Sequence, residues 1–167
     1  MTGQPSLTVR PGRPDDVDWI VALESAPGQD RFIFQWDHDR HLAALGDDDV
    51  AYLVAEDERE GRVGYAILRG LASPERSIEL MRVVVARPGG GVGRAFLRHI
   101  IDWAMAEQHA GRLWLDVFEN NARARRVYDA LGFEPERTVE EEGRPRRIQM
   151  AITAGRPGRT PSPGPSG

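Results

Sequence analysis

The sequence predicts a single α/β domain in which six to seven strands form one sheet flanked by helices. Three observations carry that prediction. Strand-like alternation and helix-like periodicity take turns along the chain, a hairpin pattern occupies its first half, and a strand, a glycine run and an amphipathic helix follow one another in the middle. With 167 residues the chain is long enough to bury one core without metal or disulfide staples. It has no cysteine, which removes a disulfide framework and a thiolate nucleophile together.

Each element has a local reason. Leu7 and Val9 alternate with Thr8 and Arg10 as a short strand. Pro14 then sits where a first helical turn tolerates it and opens a helix over 15–24, whose acidic start at Asp15 and Asp16 suits a helix N-terminus. Ala26-Pro27-Gly28 breaks that helix. The aromatic stretch Phe32-Ile33-Phe34-Gln35-Trp36 leads into a second short helix over 39–45. Strand patterns over 50–55 and 63–69 flank a charged turn and predict a hairpin, with a third strand over 78–85 after Ser73-Pro74. Val92, Phe96, Ile100, Trp103 and Ala104 recur at helical spacing, predicting a helix to about Ala106 with Gly111 as its stop. Leu113, Leu115 and Val117 alternate as a strand. Ala124, Val127, Tyr128 and Leu131 form the next helical stripe, capped by Asn120 or Asn121 and ended by Gly132. Strands over 133–138 and 146–152 flank Glu140-Glu141-Glu142-Gly143 and are expected to pair antiparallel. The domain is expected over 1–153. The remainder, 154–167, offers Gly, Pro, Arg, Ser and Thr with nothing to bury and is expected to be a disordered tail.

Composition excludes several classes. The formal charge of −4 disfavours nucleic acid as a partner. All 22 basic residues are arginine, which fits a GC-rich coding bias and removes Walker-type phosphate loops, since those need a lysine. No run approaches the roughly 18 apolar residues of a membrane span, and residues 1–10 have neither a charged n-region nor an apolar h-region. A cytoplasmic protein with no membrane partner is the expectation.

The most informative chemistry is the strand, glycine run and helix over 78–106. Gly89-Gly90-Gly91-Val92-Gly93 lets backbone approach a ligand closely, and the helix that follows points unpaired N–H groups at the same place, which favours a pyrophosphate. The dinucleotide fingerprint G-x-G-x-x-G fails here, with Arg94 in the last place if begun at Gly89 and Phe96 if begun at Gly91.

Arg87-Pro88-Gly89-Gly90-Gly91-Val92-Gly93-Arg94-Ala95, between an apolar strand and an amphipathic helix, resembles the acetyl-CoA pyrophosphate motif of the GNAT superfamily. Downstream, the run from Asn121 through Ala124 and Tyr128 to Gly132-Phe133 resembles that family's Asn-x-x-Ala-x-x-x-Tyr-x-x-x-Gly-Phe segment. The resemblance covers about 7–152, in element order more than in residues over the first half. It implies a mixed, strongly twisted sheet splayed between its fourth and fifth strands, with acetyl-CoA as co-substrate and no metal. It also implies coenzyme contacts from Val83, Val84 and Val85, from Gly89, Gly90, Gly91, Val92, Gly93 and Arg94, and from Asn121, Ala124 and Arg125. The N–H near Val83 would polarise the acetyl carbonyl. One departure is Pro88, which stands where the family usually has Arg or Gln and has no N–H to offer.

Transfer to an amine requires a proton acceptor for the amine and a donor for the departing sulfur. The resemblance assigns Glu79 as the base, with a water relay as the alternative, and Tyr128 as the acid. Simple alternation puts Glu79, Met81, Val83 and Val85 on one face of their strand and Arg82 on the other. Phe32, Phe34 and Trp36 fall where the family often builds its acceptor site, and Asp37 and Asp39 beside them would attract a cationic amine. His38 and His41 form an H-x-x-H that no downstream cluster completes into a metal site. His99 and His109 read as surface, and Trp103 and Trp114 as core. The expected activity is direct acetyl transfer to a small-molecule or peptide primary amine by a monomer or homodimer. The competing classes are a non-catalytic acyl-CoA sensor and a doubly wound nucleotide-binding module, the latter disfavoured by the hairpins.

Overall fold

The computed structural model describes residues 6–27 and 34–155. Phe32 and residues 156–167, the greater part of the expected tail, lie outside them. The elements in chain order are β1 (Leu7–Pro11), a 3-10 turn (Pro14–Asp16), α1 (Val17–Glu24), α2 (His38–Leu45), β2 (Val50–Asp57), β3 (Gly61–Arg69), β4 (Ser77–Val85), α3 (Val92–Asp102), a π-helical turn (Trp103–Glu107), β5 (Arg112–Phe118), α4 (Ala122–Ala130), β6 (Glu134–Val139) and β7 (Arg147–Thr153). The seven strands form one sheet in the order β1-β2-β3-β4-β5-β7-β6. Every neighbouring pair is antiparallel except β4 and β5, so the sheet is mixed.

Alternation sorts the strands onto two faces. On one face Leu53, Ala55, Ala66, Leu68, Leu113 and Leu115 pack with Phe96, Leu97 and Ile100 of α3, and α4 adds Ala124, Val127 and Leu131. On the other, Tyr52, Val54, Tyr65 and Ile67 pack with Ile20 and Leu23 of α1. Buried Asp16 ties β1 to the start of α1: Arg10 grips both its oxygens at 2.8 Å, and the Arg13 N–H donates to it at 2.8 Å.

Three sequence expectations are corrected. Gly111 does not stop the long helix. The chain widens into the π-helical turn and reverses at His109, whose φ is 53°. Gly111 instead allows a close approach: its N–H donates to the Arg76 carbonyl at 2.9 Å, and a Cβ there would lie 3.3 Å from the Glu75 oxygen. Trp114 is not core. Leu113, Leu115 and Val117 fill the α3 face of β5, so the residue between them faces the other way and lies half-buried with the Arg112 guanidinium 5.4 Å from its ring. The third correction, in β4, bears on the site.

Candidate functional site

β4 and β5 pair only over Ser77–Arg112, Ile78–Leu113 and Glu79–Trp114. Beyond Glu79 the two strands have no register partners in each other, although both continue to Val85 and Phe118. The sheet therefore splays along the C-terminal halves of β4 and β5, and both strands lead from there to a helix N-terminus.

After β4 the chain enters Gly89, Gly90 and Gly91 with φ of 101°, 68° and 78°, three successive left-handed positions that only glycine adopts readily. A Cβ on any of them would meet nothing within 4 Å, so the turn borders open space. Gly91 is the N-cap of α3 and caps it with no side chain, which leaves first-turn N–H groups for a ligand. Val92 joins Glu60, Arg62, Val63, Ala86 and Arg87 around a pocket of about 300 Å³, in which Glu60 pairs with Arg87 at 3.6 Å, and Arg94 is exposed. These features fit a pyrophosphate. After β5, Asn121 caps α4 by accepting the Ala124 N–H at 3.2 Å, and Arg125 donates to the Glu119 carbonyl at 3.1 Å. The cap is therefore Asn121 and not Asn120.

Register within β4 departs from simple alternation. Ile67 pairs with Arg82 but Leu68 with Leu80, so Met81 is a bulge residue with no partner of its own. The extra residue moves Val83 and Val85 onto the α3 face with Ile78 and Leu80, while Met81 and Val84 pack on the α1 face. Arg82 reaches α1, so Glu79 and Arg82 share a face instead of opposing each other. Glu79 lies beside Arg69 in an ion pair through its Oε2, and no hydrogen bond among the described residues uses its Oε1.

Tyr128 lies on α4, half-buried against the α3-face core and edge-on to Phe133 at 5.7 Å. Its hydroxyl makes no hydrogen bond among the described residues, and burial pushes the phenol above its usual value, keeping it protonated. Glu79 and Tyr128 thus lie on opposite faces of the sheet.

The acceptor-side expectations divide. Phe34 is 75% exposed, with Arg144 of the β6–β7 connection 5.7 Å from its ring. Trp36 is half-buried between the guanidinium groups of Arg40 at 4.1 Å and Arg82 at 4.8 Å. Asp37 caps α2 by accepting the Arg40 N–H at 2.8 Å, and Asp39 is exposed. His38 is exposed beside Asp18, whereas His41 is wholly buried.

His41 belongs to a buried network that the sequence reading missed. Glu24, 1% exposed, accepts at Oε1 from the Tyr65 hydroxyl at 2.5 Å and from Arg82 Nη1 at 2.5 Å. Its Oε2 lies 3.1 Å from His41 Nε2 and accepts the Trp36 N–H at 3.3 Å. His41 Nδ1 lies 2.7 Å from the Tyr52 hydroxyl. Burial pushes the Glu24 carboxyl up, but hydrogen bonds from His41 and Tyr65 and the Arg82 charge outweigh it and hold the group at about 2. An ionised Glu24 only accepts, so His41 Nε2 carries a hydrogen. One local signal was present: Glu24 continues the apolar stripe of Val17 and Ile20 at helical spacing, an acid where a core residue is expected.

A family model for the acetyltransferase (GNAT) family matches residues 17–133. The chain belongs to that family. This GNAT chain is 39% identical over 71 residues to the streptothricin acetyltransferase of Streptomyces lavendulae, a stretch covering 42% of this chain and 37% of that one. It is 38% identical over 80 residues to a 5-NmdU N-acetyltransferase of Pseudomonas phage PaMx11, covering 48% and 54%. It is 38% identical over 68 residues to the ribosomal protein bS18-alanine N-acetyltransferase of Escherichia coli K12, covering 37% and 45%. The matched stretches span about half or less of these relatives. Among solved structures, a chimera of Vibrio cholerae spermidine N-acetyltransferase and hSSAT superposes with a TM-score of 0.79 at 21% identity, covering 90% of this chain and 96% of that one. A dodecameric spermidine N-acetyltransferase from Vibrio cholerae superposes with a TM-score of 0.73 at 22% identity, covering 88% and 93%. At such identities the likeness is one of fold.

Proposed function

We propose that this GNAT chain transfers an acetyl group from acetyl-CoA to a primary amine by direct attack within a ternary complex. The observation that carries the reading is the coincidence of two features: the loss of β4–β5 pairing past Glu79 and Trp114, and the left-handed three-glycine turn at the same end of the cleft. A splay alone is a gap, and a glycine turn alone is a connection. Together they make a slot for an extended chain ending in an anion site.

The coenzyme, when bound, supplies the activated acetyl group as a thioester. The first-turn N–H groups of α3, beyond Gly91, would hold its pyrophosphate, with Arg94 beside them. Pro88 lacks an N–H, so the cradle begins one residue later. The backbone of Val83 to Val85 would line the pantetheine arm, and the Val83 N–H would steady charge developing on the carbonyl oxygen. Glu79 Oε1 would take the proton that the amine loses, directly or through a water. The Tyr128 hydroxyl, raised by burial and uncommitted to any acceptor among the described residues, would hold a proton for the departing sulfur. No covalent enzyme intermediate is required.

The experiment is a coenzyme A release assay with acetyl-CoA and five amine classes: a protein N-terminus, a lysine, a polyamine, a free amino acid and an antibiotic amine. Release with at least one class is the expected result. Tight acetyl-CoA binding with no release in any class would replace this reading with an acyl-CoA sensor.

A further inference from the structure

The network around Glu24 joins three parts of the chain that the proposed reaction must keep in register. α1 contributes Glu24, α2 contributes His41, and β4 contributes Arg82. Residues 34–36, just before α2, are held by three hydrogen bonds. Arg82 Nη2 donates to the Phe34 carbonyl at 2.7 Å, and Glu24 accepts the Trp36 N–H, while Gln35 Nε2 donates to the Glu24 carbonyl at 3.1 Å. The Arg82 side chain is 10% exposed and covers one side of the Trp36 ring. The bulge at Met81 allows this, because under simple alternation the guanidinium would enter the α3-face core among apolar side chains.

The peptide that follows Arg82 carries the Val83 N–H. One residue therefore presents its side chain to the expected acceptor segment and its peptide to the expected carbonyl site. We infer that Arg82 is a positioning residue that fastens the segment bearing Phe34 and Trp36 to β4 and so shapes the surface on which the acceptor amine binds. The inference rests on the proposed acetyl transfer. It concerns residues that touch neither coenzyme nor reacting atoms, so its signature is an effect on acceptor KM without one on coenzyme affinity.

The test uses the full chain. In the double variant Arg82→Met with Glu24→Gln both buried charges are removed together, which avoids leaving one unpaired. Arg82→Lys serves as the second variant, since it keeps a cation opposite Glu24 but offers one nitrogen where the guanidinium uses two. The expected result in either folded variant is an acceptor KM raised tenfold or more, acetyl-CoA affinity within twofold of the parent, and faster amide exchange over residues 35–45 with β2 to β4 unchanged. An unchanged KM overturns the inference, whether or not exchange quickens, because the tie would then be structural only. Failure of the proposed activity reads differently: the parent itself would release no coenzyme A with any amine. In that case the inference falls with the reaction it rests on, and quickened exchange would show only that Arg82 holds residues 35–45 in place.

Discussion

Glu24 is nearly fully buried and yet accepts from three protein side chains and one backbone N–H. Its value of about 2, against an ordinary 4.5, means that the folded state binds its proton more weakly than the unfolded state. The contribution to stability is therefore fully present above about pH 4.5 and is lost as pH falls toward 2, on the order of 3 kcal/mol. Asp16, lowered to about 2 by its hydrogen bonds from Arg10 and held there against desolvation, loses its contribution over nearly the same window. The expected outcome is a melting midpoint flat from pH 7 to 5 that falls steeply from 4.5 to 2, with a shallower fall in the Glu24→Gln, Arg82→Met double variant. Identical acid profiles for the two proteins would contradict this account. Tyr128→Phe belongs to the same scale. The phenyl ring keeps its edge-on contact with Phe133, and no hydrogen bond among the described residues is broken, so the fold and coenzyme affinity should persist. Turnover should fall roughly 10²- to 10⁴-fold, the range of general acid catalysis. A kcat within about threefold of the parent would give the acid role to water or another group. The placement of Tyr128 on α4 was legible from its place in a motif. The Glu24 network was not, because its partners lie 17, 41 and 58 residues away and no local spacing brings them together.

Elements obeyed their local rules wherever packing asked nothing more of them. The strands at β1, β2, β3 and β5, the Asn121 cap and the final hairpin follow from alternation, breakers and cap residues visible in the sequence, whereas the Asp37 cap starts α2 one residue before the expected helix. β4 did not, since Ser77 to Val85 carries no glycine or proline to mark a bulge. The bulge follows from a tertiary demand: Arg82 must reach Glu24 while Val83 packs under α3. The π-helical turn after Asp102 is equally silent, because Trp103 and Ala104 suit either helix. The glycine turn, by contrast, announced itself, and it supports a prediction at this scale. Gly91→Asp introduces a residue that tolerates a left-handed φ better than most, and its charge at the N-cap favours the helix itself. The melting midpoint should therefore change little. The same carboxylate repels a phosphate from those N–H groups, so acetyl-CoA should bind tenfold or more weakly, a loss of at least about 1.4 kcal/mol. Calorimetry on a folded variant that shows parental affinity would place the cradle elsewhere.

At the scale of the molecule, the sheet is two half-sheets joined by three register pairs between β4 and β5. The half built from β1 to β4 is packed on both faces, by α3 and by α1, whereas the half built from β5, β7 and β6 is packed by α4 on the α3 face. The mixed topology was implied by the family resemblance, and its parallel pair is the one that the β4–α3–β5 crossover makes. The length of the splay was not readable, since where two strands part depends on what lies between them. A ligand in the slot would touch both halves, the glycine turn on one side and α4 on the other. It would bind the folded state alone, because the unfolded chain has neither the slot nor the aligned N–H groups. At a free concentration of 100 times its dissociation constant, such a ligand stabilises the fold by about 2.7 kcal/mol. For a domain of this size that is a rise in melting midpoint of roughly 5–10 °C. Acetyl-CoA at that concentration, fixed beforehand by calorimetry, should produce the rise. NAD should not, because the sequence lacks the dinucleotide fingerprint. Gly91→Asp protein at the parental coenzyme concentration should show little more than half the rise, since a tenfold weaker site at the same concentration stabilises by about 1.4 kcal/mol. A midpoint unmoved by acetyl-CoA, or moved equally by NAD, would mean that the gap between β4 and β5 is not a coenzyme slot.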